Sequence, residues 1–303
     1  MSDTVHTAPL VSVVIPTYNH AHYLVRALQS VLDQTYTNWE VIVVDNHSQD
    51  NTDEVIRGFN DPRIKVLKIH NDGVIAASRN MGIRAAKGDW VAFLDSDDLW
   101  YPGKLETVLG EAQKDSSIDV FSTDEILMND ATGDRRLLQH GPYCPDFYRR
   151  LLVTGNCLSP SATLISRDFL VRNKIFFREN REFITAEDYD FWMLAAQAGA
   201  KFKCLRSVQG EYLIHATNAS GKIEKHRENI VNVIRDHVFK RQSFQADKDL
   251  LWNDINARLL VTISKSLLVE RQFVAGAIAL TGAFRSSFFG TLRYFFSRIQ
   301  NKN

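Results

Sequence analysis

Three carboxylates crowd the stretch Asp95-Ser96-Asp97-Asp98, directly after the apolar run Trp90 to Leu94. Asp95 and Asp97 are two residues apart, so an extended backbone would aim both the same way. Like charges at the mouth of a buried strand repel. A divalent cation relieves that repulsion, and magnesium or manganese prefers such oxygen ligands. The competing reading is a polar loop capping a helix that starts near Pro102. A second acidic group, Glu187-Asp188-Tyr189-Asp190, opens another expected helix. There the helix dipole favours an ionised Asp188, the state a carboxylate base requires. Acids also favour helix N-termini for purely structural reasons. His215 follows the apolar Tyr212-Leu213-Ile214 and reads as a structural histidine or a ligand.

These groups need a frame. Leu10 to Ile15 is a β-branched run closed by Pro16, which predicts a first buried strand. Asn19 is the expected N-cap of a helix whose apolar face is Leu24, Leu28, Val31 and Leu32. His20 and His22 then fall in a solvated first turn. Trp39 to Val44 predicts a second strand ending at Asp45, followed by a helix from about Thr52. Ile64 to Ile69 is a third strand. Asn71-Asp72-Gly73 turns into a helix carrying Arg79 and Asn80, which Gly88 ends. The run Trp90 to Leu94 is the fourth strand.

That alternation predicts an α/β, Rossmann-like fold with a mainly parallel sheet and helices on both faces. Ligands in such sheets bind outside the carboxyl ends of the strands. Thr17, Tyr18, Asp45, Asp95 and Asp97 all fall there. Beyond the fourth strand, Ile118 to Ser122 and Leu164 to Arg167 are further strands, with loops over 129–146. Gly199 stops the helix bearing Phe191, Leu194, Ala195 and Ala198. From about Ile223 only helical spacing remains. This divides the chain into an α/β domain over 1–222 and a C-terminal helical extension over 223–303.

Composition excludes several classes. Lysine plus arginine balances aspartate plus glutamate at 36 each among 303 residues, so nothing pulls the chain toward nucleic acid. Cys144, Cys157 and Cys204 are widely spaced and form no zinc or disulfide pattern, which suits a reducing compartment. No signal pattern precedes Pro9. The longest apolar segment, Phe273 to Phe284, has only the length of a core helix. The tail after it differs in character. From residue 271 to 303 there are five basic residues and no acid. Phe288, Phe289, Leu292, Phe295, Phe296 and Ile299 recur among them at helical spacing. That pattern fits an interfacial helix on an anionic membrane, or a docked helix with a solvated basic face.

Four stretches, in order, resemble family 2 glycosyltransferases of the GT-A fold. They are Val11 to Asn19 (VSVVIPTYN), Val41 to Asp45 (VIVVD), Ala77 to Asn80 (ASRN) through Leu94 to Asp98 (LDSDD), and Glu187 to Trp192 (EDYDFW). They spread over roughly residues 8–217. The resemblance implies a metal-dependent, inverting hexosyltransferase using a nucleoside-diphosphate sugar, with UDP-sugars favoured and manganese or magnesium as cofactor. It implies that Pro16, Thr17 and Tyr18 floor the nucleotide and that Asp45 reads the base. Arg79, Asp95 and Ser96 join the nucleotide-sugar site, while Asp97 and His215 hold the metal. Asp188 is the implied base, and Asn156, Glu187 and Trp192 are assigned to the acceptor side. One departure is Glu211-Tyr212-Leu213-Ile214, where many relatives carry an arginine before the histidine.

Rival readings are separable. A dinucleotide-binding domain or a nucleotidyltransferase needs a glycine-rich turn after the first strand, where this chain has Pro-Thr-Tyr-Asn-His. A retaining glycoside hydrolase needs two carboxylates but no nucleotide crevice. A degenerate nucleotide-sugar-binding scaffold at a membrane is the non-enzyme alternative. The expected acceptor is a glycan or lipid-linked hydroxyl in surface polysaccharide or lipopolysaccharide synthesis. The expected location is the cytoplasm, peripheral to the inner membrane face.

Overall fold

The computed structural model describes residues 8–215, 223–269, 271–292 and 294. Its contacts divide the chain into two compact units. The first comprises 1–148 and 156–233; the second comprises 149–155 and 234–303.

The first unit is built on a sheet of nine strands among the described residues. β1 (Val11–Thr17) and β2 (Trp39–Asp45) are buried throughout, as continuous apolar runs covered on both faces must be. β3 (Ile64–Lys68) lies outside β2 and presents lysines 65 and 68 at the sheet edge, where charge discourages edge pairing. β4 (Trp90–Phe93) pairs with the other side of β1. The order β3-β2-β1-β4 is therefore parallel, and the chain reverses direction of progression between β1 and β4. Such a switch point leaves a crevice beyond the carboxyl ends of its strands.

The remaining strands are mixed, unlike the mainly parallel sheet expected. β5 (Leu99–Trp100), β6 (Val120–Asn129), β7 (Arg135–Leu138), β8 (Thr163–Ser166) and β9 (Phe202–Ile214) continue the sheet. β4–β8, β6–β8, β6–β7 and β5–β9 pair antiparallel, and β6–β9 parallel. A short turn through Gly133 (φ 72°) joins β6 to β7, and a connection that short permits only antiparallel pairing.

The helices are α1 (Ala21–Leu32), α2 (Thr52–Phe59), α3 (Ile75–Ala85), α4 (Lys104–Lys114), α6 (Arg167–Asn173) and α7 (Glu187–Gln197), with α5 (Phe147–Thr154) and α8 (Ile223–Asp236) shared between the units. α1 buries Leu24, Leu28 and Val31 as its spacing predicts. Its expected N-cap is corrected: Asn19 sits at φ 53° and accepts from the Gln49 amide at 2.7 Å. Asp50 instead receives the Ala21 amide at 3.0 Å. α3 lies tight on β1 because Gly82 has no side chain; a Cβ there would meet Val14 Cγ1 at 2.2 Å. Gly199, at φ 89°, follows α7 as expected.

The second unit pairs α9 (Lys248–Val269) with α10 (Phe273–Ser286). Small residues let them approach: Ala257, Val261 and Ala283 form the seam. Ser264 Oγ donates to the Gly276 carbonyl at 2.7 Å. α10 is not the core helix its length suggested, because Phe273, Val274 and Ile278 are exposed. Phe295, Phe296 and Ile299, which complete the expected interfacial face, lie outside the described residues.

Candidate active site

A cavity of about 880 Å³ opens beyond the carboxyl ends of β1 and β4, a size suited to a small-molecule ligand. Pro16, Thr17 and Tyr18 at the end of β1 line it, as do Arg79 on α3 and Asp95 to Asp98 after β4. Asn156, Glu187 and Asp188 form another wall. The Thr17 hydroxyl is buried with no hydrogen-bond partner. A buried polar atom on a cavity wall without a partner is suited to meeting a ligand.

The Asp95-to-Asp98 segment is a turn closed by the Asp98 amide on the Asp95 carbonyl at 3.1 Å. This corrects the extended reading, because a turn splays its side chains. Asp95 accepts from Arg79 Nη2 at 2.7 Å. Asp97 faces His215 Nε2 at 2.8 Å. Asp98 turns inward, accepting from the Leu213 amide at 2.9 Å and from Ser161. Burial and the neighbouring Asp97, Glu125 and Asp95 push the Asp98 carboxyl upward. Ser96 contacts His20 Nδ1 at 3.1 Å.

Arg79 is 3% exposed and forks between acids from distant elements. Nη1 reaches Glu187 at 2.6 Å while Nη2 holds Asp95. The rigid planar guanidinium suits such a bridge. The acids of the first turn of α7 then separate by angle around the helix. Glu187 goes to Arg79, and Asp190 is buried against Arg178. Asp188 faces the cavity and accepts from Asn156 Nδ2 at 3.1 Å. Burial and then Glu187 push its carboxyl up to about 7, against the opposing pull of Arg79. The helix N-terminus does not prevail over burial, so Asp188 is less acidic than its position alone implies.

Three site residues lie elsewhere than on the cavity wall. Asp45 is buried and held by Ser48 and by Lys68 Nζ at 2.6 Å; its neighbour Asn46 faces the cavity instead. Trp192 is fully buried against Phe93 and Phe191 and belongs to the core rather than the acceptor side. His215 stands behind Asp97, its ring stacked on Tyr23 at 4.5 Å.

His20, expected in a solvated first turn, lines the cavity beside Ser96. Burial holds its imidazole below the ordinary value. Asn71, Tyr212 and His226 also line the wall unforeseen. Asn71 carried a signal, since it follows the carboxyl end of the third expected strand.

The model of "Glycosyl transferase family 2" matches residues 12–172. The chain belongs to that family. This family 2 chain is 34% identical over 184 residues to the Escherichia coli "UDP-Glc:alpha-D-GlcNAc-diphosphoundecaprenol beta-1,3-glucosyltransferase WfgD", covering 61% of this chain and 68% of that protein. It is 31% identical over 241 residues to the chondroitin synthase of Pasteurella multocida (strain Pm70). That match covers 78% of this chain but only 24% of the synthase. Among solved structures, the mannosyltransferase PcManGT of Pyrobaculum calidifontis, in complex with GDP-Man and Mn2+, superposes with a TM-score of 0.63 at 18% identity. It covers 98% of this chain and 82% of that one. The family 2 chain thus has the GT-A-like fold, extended by C-terminal helices.

Proposed function

We propose that the protein is an inverting glycosyltransferase that moves a sugar from a nucleoside-diphosphate sugar to a hydroxyl of a glycan or lipid-linked acceptor. The observation that carries this reading is Asp188: a cavity-facing carboxyl with its proton affinity raised to about 7 and its orientation fixed by Asn156. A base poised near the working pH combines ionisation with useful proton affinity. Asp188 takes the acceptor hydroxyl proton as that oxygen attacks the anomeric carbon opposite the diphosphate. Arg79 keeps Glu187 and Asp95 in place on either side of the reacting centre. Pro16, Thr17 and Tyr18 receive the nucleotide, and Asp45 positions that floor through Ser48, which accepts from the Asn19 amide at 2.9 Å, rather than by touching the base.

Asp97, on the cavity wall, would offer a carboxylate to a divalent cation, and His215, which contacts it from behind at 2.8 Å, would orient that carboxylate; magnesium sites commonly take one or two carboxylates plus substrate phosphates. When bound, the cation neutralises charge on the departing diphosphate.

UDP-sugars are favoured because a relative with 34% identity is named for UDP-Glc. Relatives named for chondroitin and for a diphosphoundecaprenol-linked acceptor support a role in surface polysaccharide or lipopolysaccharide synthesis. A peripheral place on the inner face of the cytoplasmic membrane, reached through the basic C-terminal helices, suits such an acceptor. The test is transfer from a panel of UDP-, GDP- and dTDP-sugars, with manganese, to lipid-diphosphate-linked sugars. Asp188→Asn is expected to lower kcat by about 10²–10⁴-fold while donor affinity holds. Near-normal turnover in that variant, or a product retaining the donor's anomeric configuration, would overturn the assignment.

A further inference from the structure

A helix on a protein surface normally turns polar residues outward. α10 does the reverse. Its exposed positions Val274, Ala277, Ile278 and Thr281, spaced as one helical face, carry a single hydroxyl and no charge before Arg285 in the last turn. On this helix Val274 is 76% exposed, Ile278 68% and Phe273 64%, and at the adjoining end of α9 Val269 is 85% exposed. Leu268 is exposed beside them. Folding does not require this face, because α9 and α10 already seal each other through Ala257, Ala283, Ser264 and Gly276. Contiguous exposed apolar surface of this kind marks an interaction site.

The charges around it select the partner. Lys265, Arg271 and Arg285 are all exposed at its margins, three basic residues against one acid in the sequence of that turn, Glu270. The chain from Arg271 onward contains no aspartate or glutamate. A second copy seated on the same patch would bring like charges together across a two-fold axis. An anionic bilayer presents apolar depth and negative phosphates in the matching order. No helix among the described residues is long and apolar enough to cross a membrane. The 14 residues of α10 span about 21 Å at 1.5 Å each, short of the roughly 30 Å hydrocarbon layer. The hairpin therefore fits lying in the interface.

We propose that the tip of the α9–α10 hairpin is the membrane-docking element, with Leu268, Val269, Phe273, Val274 and Ile278 entering an anionic phospholipid surface and Arg271 and Arg285 engaging its phosphates. This rests on the membrane contact suggested above and gives it a specific surface. The α9–α10 turn keeps its shape through the Arg271 amide on the Leu268 carbonyl at 3.1 Å and the Gln272 amide on the Leu267 carbonyl at 2.8 Å. The apolar side chains are thus presented on a defined turn.

Sedimentation of the full chain with phosphatidylcholine vesicles, with and without phosphatidylglycerol, tests it. Wild type is expected to pellet with the anionic vesicles. The triple variant Val269→Ser, Val274→Ser, Ile278→Ser should weaken binding by about tenfold or more. The pair Arg271→Gln, Arg285→Gln should weaken it on anionic vesicles and flatten its salt dependence. Titration of UDP with manganese, unchanged in both variants, shows that the nucleotide site is intact. If wild type pellets and both variants pellet equally well, the membrane contact stands and this surface is overturned. If wild type stays in solution with every vesicle, both fall. If the triple variant instead turns a dimer into a monomer by analytical ultracentrifugation, without vesicle binding by wild type, the patch serves a second copy and the proposal is overturned.

Discussion

At the scale of single residues, the site is a set of acids sorted by their partners. Asp188 holds its proton to about pH 7 in the folded chain, whereas an unfolded aspartate ionises near 3.9. Its neutral form therefore supports the fold at low pH, and that contribution is lost as pH rises toward 7. Asp188→Asn cannot ionise. It should be more stable than wild type above pH 7 by roughly 1–3 kcal/mol, the gap closing near pH 4; urea melts across that range measure it. The same titration appears in catalysis. Wild-type kcat/KM should rise about tenfold per pH unit below about 7 and level off above it, as a single required base dictates. A rate independent of pH between 5 and 8 would remove Asp188 from the base role. Arg79 is the opposite case, a buried cation whose loss strands two carboxylates. Arg79→Ala should cost about 3–5 kcal/mol by denaturant melt. Arg79→Lys should recover only part, since an ammonium cannot fork in plane.

At the scale of elements, α3 carries Arg79 to the cavity by resting directly on β1, while Asn80 on the same helix is bonded to the backbone of Phe177. Gly82 sits next to the Val14 side chain. Gly82→Ala gains about 1 kcal/mol of helix propensity but overpacks a core strand, typically costing about 1–3 kcal/mol. With a contact of 2.2 Å to a fully buried valine, overpacking should win. The prediction is a net loss of about 1–2 kcal/mol together with weaker UDP binding, because Arg79 lies one turn earlier on the same helix. Adding Val14→Ala should restore most of both, which denaturation and calorimetric titration of the double variant would show. α7 makes a related point. Its first turn pairs Glu187 and Asp190 with arginines and leaves Asp188 on the cavity wall beside Glu187 without one, so position around the helix separates the ion-paired acids from the one proposed as base.

At the scale of the whole molecule, the cavity belongs to the sheet unit alone, since none of its lining residues falls in 149–155 or beyond Ile230. Hydrogen exchange with and without UDP and manganese should therefore show new protection around Thr17, Asn71 to Ile75 and Asp95 to Asp98. The helical unit, 234–294, should exchange as before. Protection appearing mainly in α9 and α10 would contradict this location of the nucleotide. Protection of the cavity segments scales with occupancy: ligand at about 100 times its Kd adds about 2.7 kcal/mol to the cost of opening.

Much of the frame was legible in the chain because its causes are local. The runs Val11 to Ile15 and Trp39 to Val44 are too apolar for anything but buried strands. The alternation with helical spacing implied parallel crossovers. The strand-end rule then brought Thr17, Tyr18, Asp95 and Asp97 to one crevice but misplaced Asp45, which is buried against Lys68, and the ordered motifs identified the family. The fates of individual polar side chains depended on neighbours distant in sequence. A turn separated Asp95 from Asp97, and partners more than 100 residues away took Asp98 and His215. Trp192 was claimed by Phe93 and Phe191, and His20 by Ser96. The raised proton affinity of Asp188 likewise needed the folded surroundings, because desolvation is a property of everything packed around a group. Local periodicity determined the elements and their order; only the tertiary structure decided which charges meet, because burial and charge pairing arise between elements.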